Sequence, residues 1–115
     1  MHEKEAARGY SALGNENRLA IFRLLVRAGQ HGSAIGRIGK ELDIPLSTLA
    51  HHLDYLSRAG LITQRRSGRE VICTANYAVL AGLADFLTEK CCEGLPEEAV
   101  RADARQNPAP ELVEP

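Results

Sequence analysis

No uninterrupted apolar run in the 115 residues approaches the roughly 18 needed for a membrane span, so no membrane partner is expected. The opening Met1-His2-Glu3-Lys4-Glu5 is charged and carries no apolar stretch of the signal-peptide kind, which predicts a cytoplasmic protein. Cysteine is scarce and odd in number, at three, and this excludes a disulfide scaffold. In a reducing compartment such thiols stay free or hold a soft ligand. Internal repeats are missing as well. An enzyme would need a nucleophile, a base and an orienting group in one cleft. The best thiols here, Cys91 and Cys92, fall at the expected C-terminal end of a helix, where the dipole opposes thiolate formation. A small thiol enzyme is therefore the remotest reading, and the expectation is a protein that is not an enzyme.

What is present is an ordinary globular composition, 44% hydrophobic and 25% charged, enough for one modest core. The net charge of −1 hides a split. Residues 1–90 hold twelve basic and nine acidic side chains, and residues 91–115 hold two and six. Four of the five prolines also lie in that last segment. Two parts follow: a folded domain over 1–92 and an acidic, proline-containing, disordered tail over 93–115. The folded part is mildly basic, which permits nucleic-acid binding without demanding it.

Hydrophobic spacing predicts helices over Glu3–Leu13, Glu16–Ala28, Ala34–Leu42, Pro45–Arg58 and Tyr77–Cys92. Asn15, Ser33 and Asn76 stand where N-caps belong. Gly29 supplies a left-handed stop, and Pro45 opens a helix at the one position where its missing N–H costs nothing. The second helix is apolar over most of its surface, at Leu19, Ile21, Phe22, Leu24, Leu25 and Val26, and should be central. Between the fourth and last helices the period changes to two. Leu61–Arg66 and Glu70–Ala75 read as strands joined by Ser67-Gly68-Arg69. The fold class is thus mainly α with a β-hairpin, in the order α-α-α-α-β-β-α.

The third and fourth helices, joined by a tight turn, read as a helix-turn-helix. With Leu49 and Leu53 turned inward, the fourth helix exposes Leu46, Ser47, Thr48, Ala50 and His51 at its start. Small side chains let a helix sit deep in the major groove, and Ser, Thr and His can meet phosphates or base edges. Equally open for Ser47 and Thr48 is a plain role as caps of their own helix. His51 and His52 diverge by about 100° around the helix and make a poor chelating pair; His51 is expected to face DNA and His52 to pack. The hairpin arginines Arg65, Arg66 and Arg69 fit a wing that grips phosphate or the minor groove, against the blander reading of a solvated loop.

These segments resemble a known family. Residues Ser11 to Leu25, SALGNENRLAIFRLL, are similar to the opening of the ArsR/SmtB metalloregulators. Residues Leu46 to Ile62, LSTLAHHLDYLSRAGLI, are similar to their recognition helix, and Arg65-Arg66-Ser67-Gly68-Arg69 to their wing. The resemblance spans about residues 5–92. It implies a winged helix-turn-helix repressor that binds double-stranded operator DNA as a homodimer and leaves when an inducer binds. It also implies dimerisation through the first and last helices, here by Ala6, Tyr10, Leu13, Leu80, Leu83 and Leu87.

The inducer is narrowed by what the family's sites require. The Cys-x-Cys type of arsenic site, at the start of the third helix, is replaced by Ile35-Gly36-Arg37-Ile38. Zinc sites on the last helix use Asp and His pairs, and this helix offers Asp85 and Glu89 but no histidine. Thr88-Glu89-Lys90-Cys91-Cys92-Glu93-Gly94 resembles instead the branch of arsenic repressors with a Cys-Cys pair ending the last helix, which implies a trivalent arsenical, arsenite, methylarsenite or antimonite, as inducer. A disulfide within the pair is disfavoured, because adjacent Cα atoms lie about 3.8 Å apart and disulfides usually span about 4.4–6.8 Å. Cys73, on the second strand, is expected to be a half-buried small hydrophobe and is the one available third ligand. The alternative is a persulfide or thiol-redox sensor of the same fold that uses Cys73 with Cys91 or Cys92.

Overall fold

A computed structural model describes residues 1–96; nearly all of the predicted tail lies outside the described residues. The elements are α1 (Glu3–Leu13), α2 (Glu16–Ala28), a single 3-10 turn (Gly29–His31), β1 (Ser33–Ala34), α3 (Ile35–Leu42), α4 (Leu46–Arg58), β2 (Ile62–Ser67), β3 (Glu70–Ala75) and α5 (Tyr77–Thr88). This is the winged helix-turn-helix order expected from the sequence. Among the described residues no helix is long and apolar enough to cross a membrane.

Two expected caps form. The Asn15 side chain accepts from the Arg18 amide at 3.1 Å, and Asn76 accepts from the Val79 amide at 3.3 Å, each satisfying an orphan donor of the first turn. Ser33 does not cap α3. Ser33 and Ala34 form β1, a two-residue strand antiparallel to β3, with Ser33 opposite Cys73 and Ala34 opposite Ile72. The sheet order is therefore β1-β3-β2, and the wing is the outer part of a three-stranded sheet. Two residues are too short to show a period of two, which is why β1 escaped the hydrophobic pattern. The hairpin turn is also tighter than expected: Ser67 pairs with Glu70, so only Gly68 and Arg69 make the turn, with Gly68 at φ 64°.

The core is one cluster. Ile21, Phe22 and Leu25 of α2, Ile38 of α3, and Leu49, Leu53 and Leu56 of α4 meet Leu61, Ile62, Cys73 and Ala75 of the sheet side. Helix α2 is central through a single stripe; Leu19 is exposed and Leu24 and Val26 are half-buried, so its apolar surface exceeds what the chain covers. The turn from α3 to α4 closes through Asp43 in the left-handed region (φ 55°, ψ 50°) and the Ile44 amide, which donates to Gly39 O at 3.0 Å. Gly39 allows this approach, since a Cβ there would stand 3.2 Å from the Ile44 carbonyl oxygen.

Two glycines test this packing in opposite directions. At Gly32 (φ 71°) a Cβ would stand 2.2 Å from the Cys73 carbonyl oxygen, so Gly32→Ala should break the β1–β3 contact and cost at least about 3 kcal/mol. Gly36, exposed on α3 with nothing within 4 Å of its Cβ position, should gain up to about 1 kcal/mol on change to alanine. Urea denaturation of both variants checks this; a Gly32→Ala protein as stable as wild type would contradict the β1 pairing.

Candidate nucleic-acid interface and thiol site

Helix α4 turns Leu49, Leu53 and Leu56 inward and leaves Leu46, Ser47, Thr48, Ala50 and His51 exposed at its first two turns. Leu46 is 62% exposed. The residue before the helix is Pro45, and no side-chain hydrogen bond caps α4. The hydroxyls of Ser47 and Thr48 are thus not engaged as caps of α4. His51 is exposed and His52 is buried, in the division expected from the sequence.

The wing is joined to the C-terminal end of α4. Gln64 Nε2 donates to Ser57 Oγ at 3.0 Å and fastens the base of β2 to α4. Arg65 and Arg66 are exposed on β2 and point to opposite sides of it, and Arg69 is exposed at the tip. Arg65 Nη2 lies 3.4 Å from the carbonyl oxygen of His31, a long contact that leaves most of the guanidinium free for another acceptor.

Arg18, which the sequence reading passed over, fixes α4 from one flank. Its Nε donates at 2.7 Å to Ala12 O, one of the last-turn carbonyls of α1. Its guanidinium carbon stands 3.9 Å from the centroid of the Tyr55 ring. Its Nη1 lies 3.4 Å from His52 Nδ1, and because arginine can only donate, His52 accepts there and carries its proton on Nε2. Burial, then the Arg18 charge, then His51 hold the His52 pKa below the usual histidine value, so the ring is neutral at pH 7. One signal was available in the sequence: an arginine in the first turn of a largely apolar helix, with a carbonyl-rich helix end just before it.

The residues expected at a dimer interface divide. Ala6 and Leu83 are buried inside the protomer, so they are corrected from interface to core. Gly9 brings α1 so close to α5 that a Cβ would stand 3.0 Å from Leu83, and the Tyr10 hydroxyl donates to Leu83 O. Leu13 and Leu80 are half-buried, and Leu87 is 68% exposed. Helix α5 carries Val79, Leu80, Leu83, Phe86 and Leu87, yet within the chain it fully buries Leu83 alone.

The helix ends at Thr88, four residues earlier than expected, and the cysteine pair lies in the turn that follows. Lys90 and Cys92 both take left-handed φ, 64° and 62°. This turn brings the two sulfurs to 3.2 Å, both exposed. The Cys91 sulfur, by hydrogen bond and then by charge, raises the Cys92 pKa, so Cys92 holds its proton more firmly than a lone thiol would. Cys73 is fully rather than half buried, and burial pushes its pKa up to about 11. It has neither the exposure nor the thiolate character of a sensor thiol. Among the described residues no group of three or more His, Cys, Asp or Glu side chains is placed to hold a metal ion, so Cys73 does not complete a site with the pair within one protomer.

Comparison with known proteins gives a consistent result. The family described as a helix-turn-helix domain matches residues 13–65. An uncharacterized HTH-type transcriptional regulator of Methanocaldococcus jannaschii is 35% identical over 65 residues, covering 56% of this chain and 71% of that protein. The transcriptional activator HlyU of Vibrio cholerae is 27% identical over 94 residues, 79% of this chain and 84% of the relative. Among solved structures, an ArsR-like transcriptional regulator from Rhodococcus superposes with a TM-score of 0.68 at 26% identity, covering 89% of both chains. The homodimeric winged helix-turn-helix DNA-binding domain Mb0332 of Mycobacterium bovis superposes with a TM-score of 0.62 at 25% identity, over 85% of this chain and 83% of that one.

The Arg18 cluster has two measurable consequences. Arg18→Ala should cost about 2 kcal/mol, since it orphans the Ala12 carbonyl and strips the Tyr55 face. His52 has a folded-state pKa below its unfolded value, so the unfolded chain binds the extra proton first. Its contribution is fully present above the unfolded value of about 6.5 and is lost as pH falls through the folded one. Denaturation curves between pH 5 and 8 should show stability falling on the acid side, and His52→Gln should remove that component.

Proposed function

Since the chain belongs to the HTH-type transcriptional regulators, we propose that it works in the manner of the ArsR-like regulator it superposes on, binding operator DNA as a homodimer and leaving it when a trivalent arsenical bridges Cys91 and Cys92. The DNA-facing surface is the start of α4, with Leu46, Ser47, Thr48, Ala50 and His51, flanked by Arg65, Arg66 and Arg69 of the wing. A two-fold pair of such surfaces reads an inverted repeat with half-sites about one helical turn, or roughly 34 Å, apart. The pairing surface is what α5 and α1 leave uncovered: Leu87, with Leu80, Leu13 and Tyr10 at its margin. The homodimeric Mycobacterium bovis domain supports pairing into a dimer.

The observation that carries the inducer reading is the 3.2 Å approach of two exposed sulfurs directly after α5. Trivalent arsenic is soft and pyramidal with three bonds. Inorganic arsenite takes three thiolates, whereas methylarsenite already has one As–C bond and needs two. The two thiols displace two hydroxyls, forming two As–S bonds and releasing two waters, with no change of oxidation state. A two-thiol site therefore favours the methylated species. A bridge here locks the turn that leaves α5 and alters how the two copies of α5 meet, which moves the recognition helices out of register with the half-sites.

Operator release is the direct test. Methylarsenite should release labelled operator at lower concentration than arsenite, and zinc should not release it. Serine at Cys91 or Cys92 should abolish release with operator affinity unchanged, and Cys73→Ala should leave the methylarsenite response intact. Release by arsenite that disappears in Cys73→Ala would reject the two-thiol site. Separately, alanine at both Arg65 and Arg66 should weaken binding to every duplex and flatten the salt dependence by up to about four phosphate contacts per dimer, read as a slope change of up to about 3.6 in a log–log plot.

A further inference from the structure

The exposed start of α4 lacks every side chain that reads a base by two hydrogen bonds. Arginine, lysine, asparagine and glutamine supply the bidentate contacts to guanine and adenine in the major groove. None of them occurs between Leu46 and Leu53. The hydroxyls of Ser47 and Thr48 and the His51 ring can make single hydrogen bonds, which discriminate less. What the face does carry is apolar surface. Leu46 is 62% exposed at the first position of the helix. Ala50, one turn further on, is also exposed and lies on the same side.

Leu46 is not a loose surface residue. One of its methyl carbons, Cδ2, lies 3.9 Å from the Cβ position of Gly39, so the side chain leans on α3 and keeps the rest of its surface outward. The exposed part of this leucine gains nothing from the core. The major groove offers one apolar partner, the C5-methyl group of thymine. Side chains at i and i+4 stand about 5–6 Å apart, and successive bases on a strand rise about 3.4 Å, so Leu46 and Ala50 together span about two base steps.

We propose that Leu46, seconded by Ala50, reads thymine methyl groups in each operator half-site and is the specificity-determining residue of the recognition helix. The inference rests on the DNA-binding reading above and adds the chemistry by which sequence is read. It also orders the contacts: hydroxyls and wing arginines set position, and the apolar strip sets preference.

The test separates the two levels. The full chain first selects its operator from random duplexes, and each thymine of the half-site is then replaced by uracil. That replacement removes the methyl group and keeps O4 and the pairing edge. One position per half-site should lose about fourfold in affinity, the worth of burying a single methyl. Leu46→Ala should lose a similar factor on the thymine operator and show no thymine–uracil difference at that position. Leu46→Gln, which keeps the length and adds a bidentate amide, should shift the selected base toward adenine. An equal thymine–uracil difference in wild type and Leu46→Ala overturns the proposal, as does a selected operator with no methyl-sensitive position. Failure to select any sequence overturns the DNA-binding reading as well.

Discussion

The guanidinium of Arg18 sits where three helices converge, and the placing of the recognition helix depends on it. It closes the open end of α1 through Ala12, caps no helix of its own, and lies against Tyr55 and His52 on one flank of α4. Apolar side chains would fill this space but would not fix the angle between the helices, because hydrophobic contact is non-directional. A planar cation with donors in set directions does fix it. His52 must be neutral to accept from that cation, and burial ensures that it is. The exposed face of α4 is therefore aimed by a polar contact along its flank, at His52 and Tyr55, one turn beyond Thr48 and His51.

Much of this was legible in the sequence because the helices are long enough to show their period. The stripe Leu49, Leu53, Leu56 identified the inward face of α4 and, by subtraction, the outward residues. Asn15 and Asn76 marked helix starts because an asparagine before an apolar run has one obvious partner, the amide three residues on. What could not be read depended on tertiary pairing. Ser33 looked like a cap, as its type and position suggested, and became a strand residue because β3 was there to pair with it. Ala6 and Leu83 looked like interface residues because an apolar stripe does not say whether its partner is the same chain or another. The end of α5 was misplaced because Glu89, Lys90 and the cysteines do not forbid a helix; the left-handed Lys90 and Cys92 follow from no residue preference at those positions.

The thiols illustrate how environment separates identical side chains. Cys73 is sealed in the sheet and protonated well beyond neutral pH, whereas Cys91 and Cys92 stand in water with their sulfurs in contact. A soft electrophile arriving from solvent meets only the second pair. The core can thus keep a cysteine as a small apolar filler, chemically apart from the exposed pair.

The short β1 pairing has a mechanical consequence. An isolated two-stranded hairpin is marginal in water, and a wing of that kind would have to become ordered on the duplex. Here β3 is held on both edges, by β2 and by the two residues that lead directly into α3. The hairpin and the helix-turn-helix are therefore tied together by backbone pairing through β1. Under the proposed DNA-binding role, a twist delivered to the body of one protomer would carry wing and recognition helix together.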